Sequence, residues 1–146
     1  MSIKNKSLLD PILGKLNFNK ETEWWEGSIQ RNNTQISIQL SATNANDLQK
    51  AIESGRTIFE NIENLERLAK EFAAEKLLDL RNDNWLEEDQ DETSPEEFKS
   101  KMSLDSIYVD SKGLFSLYFD DGDLFWGHSI ETEGSISDGF YDASIG

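Results

Sequence analysis

The chain has 146 residues, a formal net charge of −15, no cysteine, and 36% hydrophobic residues that include eight Phe and four Trp. That length suits one domain over residues 1–146, able to bury roughly two thirds of its unfolded surface. Disulfide and thiolate chemistry are excluded by the missing cysteine, and nucleic acids and anionic membranes are disfavoured by the charge.

The opening MSIKNKSLLDPILGKLNFNK has two early lysines but no apolar run of signal-peptide length, and no segment approaches the roughly 18 apolar residues of a membrane span. A soluble, cytoplasmic protein is the expectation. LLDPILGKLNF reads as a helical turn broken around Pro11 or Gly14, with a possible strand at KLNF. Next come WWEGSIQ and TQISIQLSA. In the second, Ile36, Ile38 and Leu40 alternate with Gln35, Ser37 and Gln39, the pattern of a half-buried strand. Asn32 and Asn33 between them tolerate the left-handed backbone of a tight turn, so an antiparallel hairpin is predicted.

From Asp47 to Leu80 the period becomes three to four, as in Leu48, Ala51, Ile52, then Leu65, Leu68, Ala69 and Phe72. Asn46 or Asp47 is the expected cap. A single helix of this length would be about 51 Å long, too long for such a domain, so a break is expected near Asn61–Asn64. These leucines and phenylalanines read as core.

Beyond Leu80 the charge becomes one-sided. Residues 1–81 carry 11 basic and 12 acidic side chains; residues 82–146 carry 3 and 17. DNWLEEDQDE reads as an exposed acidic loop, with Trp85 and Leu86 either anchoring it to the domain or forming an apolar centre inside a charged rim. Ser94-Pro95-Glu96-Glu97 is a helix start, with Ser94 as cap, Pro95 in the first turn and Glu97 completing a capping box, for a helix to about Met102. Three strands then follow: LDSIYVD, LFSLYFD and LFWGHSIETEG, turned at Asp110–Gly113 and at Asp121-Gly122. The expected fold class is α+β: antiparallel N-terminal strands, two central helices plus a short capped helix, and a C-terminal three-stranded antiparallel meander.

With Asp121-Gly122 as a type I′ turn, Phe119 faces Leu124, Leu117 faces Trp126 and Phe115 faces His128, which makes that face the core face. Tyr118 then faces Phe125, Ser116 faces Gly127, and Asp120 lies opposite Asp123. Two like charges so placed are either tolerated as a water-screened turn or neutralised by a cation, from a partner or from an internal arginine such as Arg81. His128 reads as a buried or rim histidine bonded to a neighbour. A calcium loop with Gly122 in its sixth position would put Leu117 first and His128 twelfth, which lack the required carboxylates. One histidine without cysteine serves zinc poorly.

The segment Asn82, Asp83, Trp85, Leu86, Glu87, Glu88 and the segment Asp120–Asp123 with Phe125–His128 together resemble an uncharacterised family of small bacterial proteins. Its pattern is N-D-x-W-L-E-x-(D/E) followed by a terminal D-D-G-D-x-F-W-G-H hairpin, and the likeness runs from about residue 14 to the end. The resemblance implies no enzyme activity, substrate or cofactor.

No catalytic spacing, metal-ligand set or cofactor motif stands out. The expected function is non-enzymatic binding of a basic protein, in its most specific form by an immunity protein that neutralises a nuclease-like toxin through acidic contacts. The expected contact set is Asp83, Trp85, Glu87, Glu88, Asp89, Asp91, Glu92, Asp120, Asp121 and Asp123. One alternative is a metal-assisted or acid–base hydrolase using Asp120–Asp123 and His128. Another is a regulatory or structural interaction domain with no toxin involved.

Overall fold

The computed structural model describes residues 7–146. Eight strands form one sheet in sequence order, β1 (Ser7–Asp10), β2 (Gly14–Asn19), β3 (Trp24–Arg31), β4 (Thr34–Ser41), β5 (Ser103–Asp110), β6 (Leu114–Asp120), β7 (Ile130–Ser135) and β8 (Gly139–Ile145). Every neighbouring pair is antiparallel except β4 and β5. A parallel pair needs a crossover, and residues 42–102 supply it as three helices: α1 (Ala45–Glu60), α2 (Ile62–Asn84) and α3 (Pro95–Lys101). The α+β class is therefore as expected, but N-terminal and C-terminal strands merge into one sheet, and the C-terminal part has four strands instead of three.

Alternation in the strands sets the core. Across β3 to β6, Trp25, Leu40, Val109 and Phe115 are neighbours in one row, and Ile38, Ile107 and Leu117 in the next; all are buried. The helices lay their own apolar stripe on this face, Leu48, Ala51, Ile52 and Ile58 from α1 and Ala69, Ala73 and Leu77 from α2. Gly55 lets α1 come close: a Cβ there would lie 3.0 Å from Leu13 and 3.4 Å from Leu40. Phe72 of α2 meets Phe140 of β8, which stacks edge-on to Phe115. Among the described residues no helix is long and apolar enough to cross a membrane.

The β3–β4 hairpin turns at Asn32 and Asn33 as predicted, with Asn32 at φ 55° and Ile29 opposite Ile36. The long helical stretch breaks at Asn61 alone, whose side chain donates to the Thr57 carbonyl. Its cap is Asn44, not Asn46 or Asp47: the Asn44 side chain accepts the Asp47 N–H at 2.8 Å. Ser94 caps α3 through the Glu97 N–H.

Two expectations are overturned. LLDPILG is not a helical turn but the end of β1 and a reversal into β2. The misreading has a physical source, because the Asp10 carboxylate accepts the Ile12 and Leu13 N–H groups as a helix cap would. The chain then leaves at Gly14, with φ 78°, after one turn. Second, Asp121-Gly122 is not a hairpin turn. β6 pairs with β7 so that Phe119 faces Ile130, Leu117 faces Thr132 and Phe115 faces Gly134. Residues 121–129 form a loop, and the predicted pairing of Asp120 with Asp123 does not exist; Asp120 sits opposite Ser103 of β5.

Candidate functional site

The loop owes its shape to Asp121. Its carboxylate is buried, 1% exposed, and accepts the N–H groups of Asp123 at 3.0 Å, Phe125 at 2.8 Å and Gly127 at 3.1 Å. A side chain that draws three backbone donors inward makes a continuing strand impossible, because those donors are no longer free for a ladder. The chain passes through left-handed backbone at Gly122, Asp123, Trp126 and Gly127. For Asp123 and Trp126 that conformation costs about 1–3 kcal/mol each. A Cβ on Gly122 would lie 2.5 Å from the Lys101 carbonyl oxygen, so only glycine fits between loop and α3.

This reversal buries Leu124 and Phe125 and turns Trp126 outward, 57% exposed. Trp126 and His128, expected on the core face, are thus surface residues. The Trp126 indole donates to the Trp85 carbonyl at 3.0 Å, across 41 residues of sequence. Its ring centroid lies 4.8 Å from that of Trp85. The Trp85 ring also meets Phe125 and His128, with centroids 5.5 and 5.4 Å away. His128 Nδ1 lies 2.6 Å from the Phe125 carbonyl oxygen and must donate to it.

Arg81 completes the junction. It is buried, 5% exposed, and donates to the same Trp85 carbonyl and to the Thr93 hydroxyl. Asn82 exchanges two hydrogen bonds with the Thr93 backbone, which closes the acidic loop back onto α2. Arg81 does not neutralise Asp120 or Asp123, since its ordered hydrogen bonds go to neutral groups of the 85–93 loop. A cleft of about 330 Å³ lies here, lined by Arg81, Lys101 and Asp123 among others. A larger hollow of about 750 Å³ lies between the β3–β4 turn and the α1–α2 break, but its arginines are engaged, Arg31 with Glu66 and Arg67 with Glu71.

The two segments singled out in the sequence therefore meet. A family model described as an uncharacterized protein conserved in bacteria (DUF2262) matches residues 10–145. The chain belongs to the DUF2262 family. No curated protein and no solved structure matches it. In this DUF2262 chain the expected contact residues divide by exposure. Asp83, Glu87, Glu88, Asp89, Asp91, Glu92, Asp120 and Asp123 are exposed, and Trp85 is half-buried beneath Trp126. Asp121 is the exception, an internal acceptor with no surface to offer. Trp126, absent from that set, is exposed while Trp85 is half-buried and Phe125 buried; its position in an apolar run disguised it as a core residue.

Proposed function

We propose that this protein binds a basic protein partner through the corner where the 83–92 and 120–128 segments meet. The observation that carries the reading is Trp126. It is an exposed indole held in a costly backbone conformation and clamped to Trp85, and the two segments that meet through it carry eight exposed carboxylates. A rigid aromatic at the centre of a charged rim is the usual composition of a binding hot spot, and the rim would steer a cationic surface toward it. In its most specific form the partner is a nuclease-like toxin and the chain its immunity protein, with carboxylates standing where substrate phosphates would bind.

The test is capture of partners from the source cell followed by kinetics on a purified one. A partner rich in Lys and Arg is expected, with an association rate falling at least about tenfold from low to high salt. Trp126→Ala should weaken affinity by about tenfold or more. An acidic or neutral partner, or affinity indifferent to both salt and Trp126→Ala, would sink the reading.

A further inference from the structure

The helices cover one face of the sheet only, and the other face has an unusual make-up. From β3 to β8, strand alternation and register put Glu26, Asp110, Asp120, Glu131, Glu133 and Asp142 on it, with no Lys or Arg, while Lys15 shares the face on β2; Arg31 points to the helix side, where it pairs with Glu66. Its aromatic side chains are Trp24, Tyr108 and Tyr118, all half-buried, with Trp24 and Tyr108 centroids 5.1 Å apart. Serines and glutamines occupy most of the rest. A solvated antiparallel face ordinarily mixes signs, because like charges directly opposite destabilise the pair. Here Glu133 lies directly opposite Asp142. Lys76 reaches Asp142 at 3.2 Å, but among the described residues no cation lies within 4 Å of Glu131 or Glu133.

Glu131 is held in place, accepting the Ser116 hydroxyl at 3.0 Å and the Tyr118 phenol at 3.2 Å. Partial burial, together with the charges of Glu131 and Asp142, raises the Glu133 carboxyl above its ordinary value. Burial and Glu131 do the same to the Tyr118 phenol. Rigid aromatics among short, adaptable polar side chains are what a protein-recognition surface uses, since little side-chain entropy is lost on contact. Guanidinium groups suit this face better than ammonium groups. They can stack on Tyr108 or Tyr118 while pairing with Glu131 and Glu133.

We propose that the uncovered sheet face is a docking surface for an arginine-bearing face of a basic protein, centred on Tyr118, Glu131 and Glu133. The proposal rests on the reading of a basic partner and adds to the Trp126 corner a second contact surface on the sheet, where the partner's arginines dock. A second copy of this chain is a poor occupant, because two surfaces of the same charge would meet.

The probe is a decapeptide alternating Arg and Ser, with its Lys–Ser counterpart as control, titrated into the ¹⁵N-labelled full chain. Two variants remove equal charge from different places: Glu131→Gln/Glu133→Gln on the sheet and Glu87→Gln/Asp123→Asn at the loop corner, both of whose residues are exposed and outside the strands. The expected result is tighter binding of the arginine peptide than the lysine peptide, with shifts centred on Tyr108, Tyr118 and the β7 amides. The sheet variant should lose about fivefold or more in affinity and the loop variant less than about twofold. The double sheet variant should keep the dispersed wild-type amide spectrum, and Glu133→Gln alone should melt no lower than wild type at neutral pH while still losing affinity; together these separate lost binding from lost fold. A larger loss in the loop variant overturns this proposal and leaves the Trp126 corner standing. Equal losses overturn it in favour of non-local attraction, and no binding of either peptide at low salt overturns both readings.

Discussion

At the scale of single residues, Asp121 shows how one side chain can redirect a chain. Asp-Gly between apolar runs normally closes a two-residue hairpin, but here the aspartate carboxylate captures the N–H groups of Asp123, Phe125 and Gly127 and folds them around itself. An acceptor that serves three donors is costly to remove, because each donor left without a partner in a site this enclosed loses its hydrogen bond without regaining water. Asp121→Ala is therefore expected to destabilise the protein by about 3 kcal/mol. Asp121→Asn, which keeps one acceptor oxygen, should cost about half as much. Urea denaturation checks both. A loss below about 1 kcal/mol for Asp121→Ala would mean that Leu124 and Phe125, buried beneath the loop, hold its shape without the carboxylate.

Elements differ in how plainly they were written in the sequence. The β3–β4 hairpin and the α1–α2 pair were legible because period two and period three to four are local patterns. The parallel β4–β5 contact was not, since it depends on how residues 42–102 pack and not on any strand's own pattern. β8 was hidden by its irregular pairing with β7, which shifts register between Glu133 and Gly134 and breaks the alternation a reader would count. The acidic segments of the site were legible as composition; their meeting through the Trp85 carbonyl was not. Between the β1–β2 reversal and α1 the decisive link is ionic. Asp10, whose side chain is 4% exposed, accepts the Arg56 guanidinium besides the two backbone N–H groups. Burial opposes its charged form, yet the hydrogen bonds from Arg56, Leu13 and Ile12 outweigh it and hold the carboxyl below its ordinary value. A depressed carboxylate stabilises the fold above the unfolded value of about 3.9 and stops doing so as pH falls through the lower folded value. The stability difference between wild type and Asp10→Asn should thus be full at neutral pH and shrink below about pH 4. A difference that stays constant down to strongly acidic pH would show that Asp10 acts as a neutral acceptor and not through Arg56.

The whole molecule carries its charge unevenly, and salt should act on it in two opposed ways. With −15 overall and 17 acids against 3 bases after residue 81, compaction brings carboxylates together that the unfolded chain keeps apart. Self-repulsion of this kind destabilises a compact state and is screened over a Debye length of about 8–10 Å at ordinary ionic strength. Among the described residues, the ion pairs that salt would weaken most are the exposed ones, such as Arg67 with Glu71 and Lys99 with Glu96, where each contributes at most about 1 kcal/mol. Repulsion should therefore dominate, and the melting temperature should rise between about 20 mM and about 300 mM NaCl. Association with a basic partner should slow over the same interval, because the field that strains the fold is the field that steers the encounter. Thermal melts and association kinetics on one preparation test the pair of signs. A melting temperature that falls with salt would show that ion pairs outweigh repulsion, and would remove the argument that the acid surface is maintained at a cost to stability for the sake of binding.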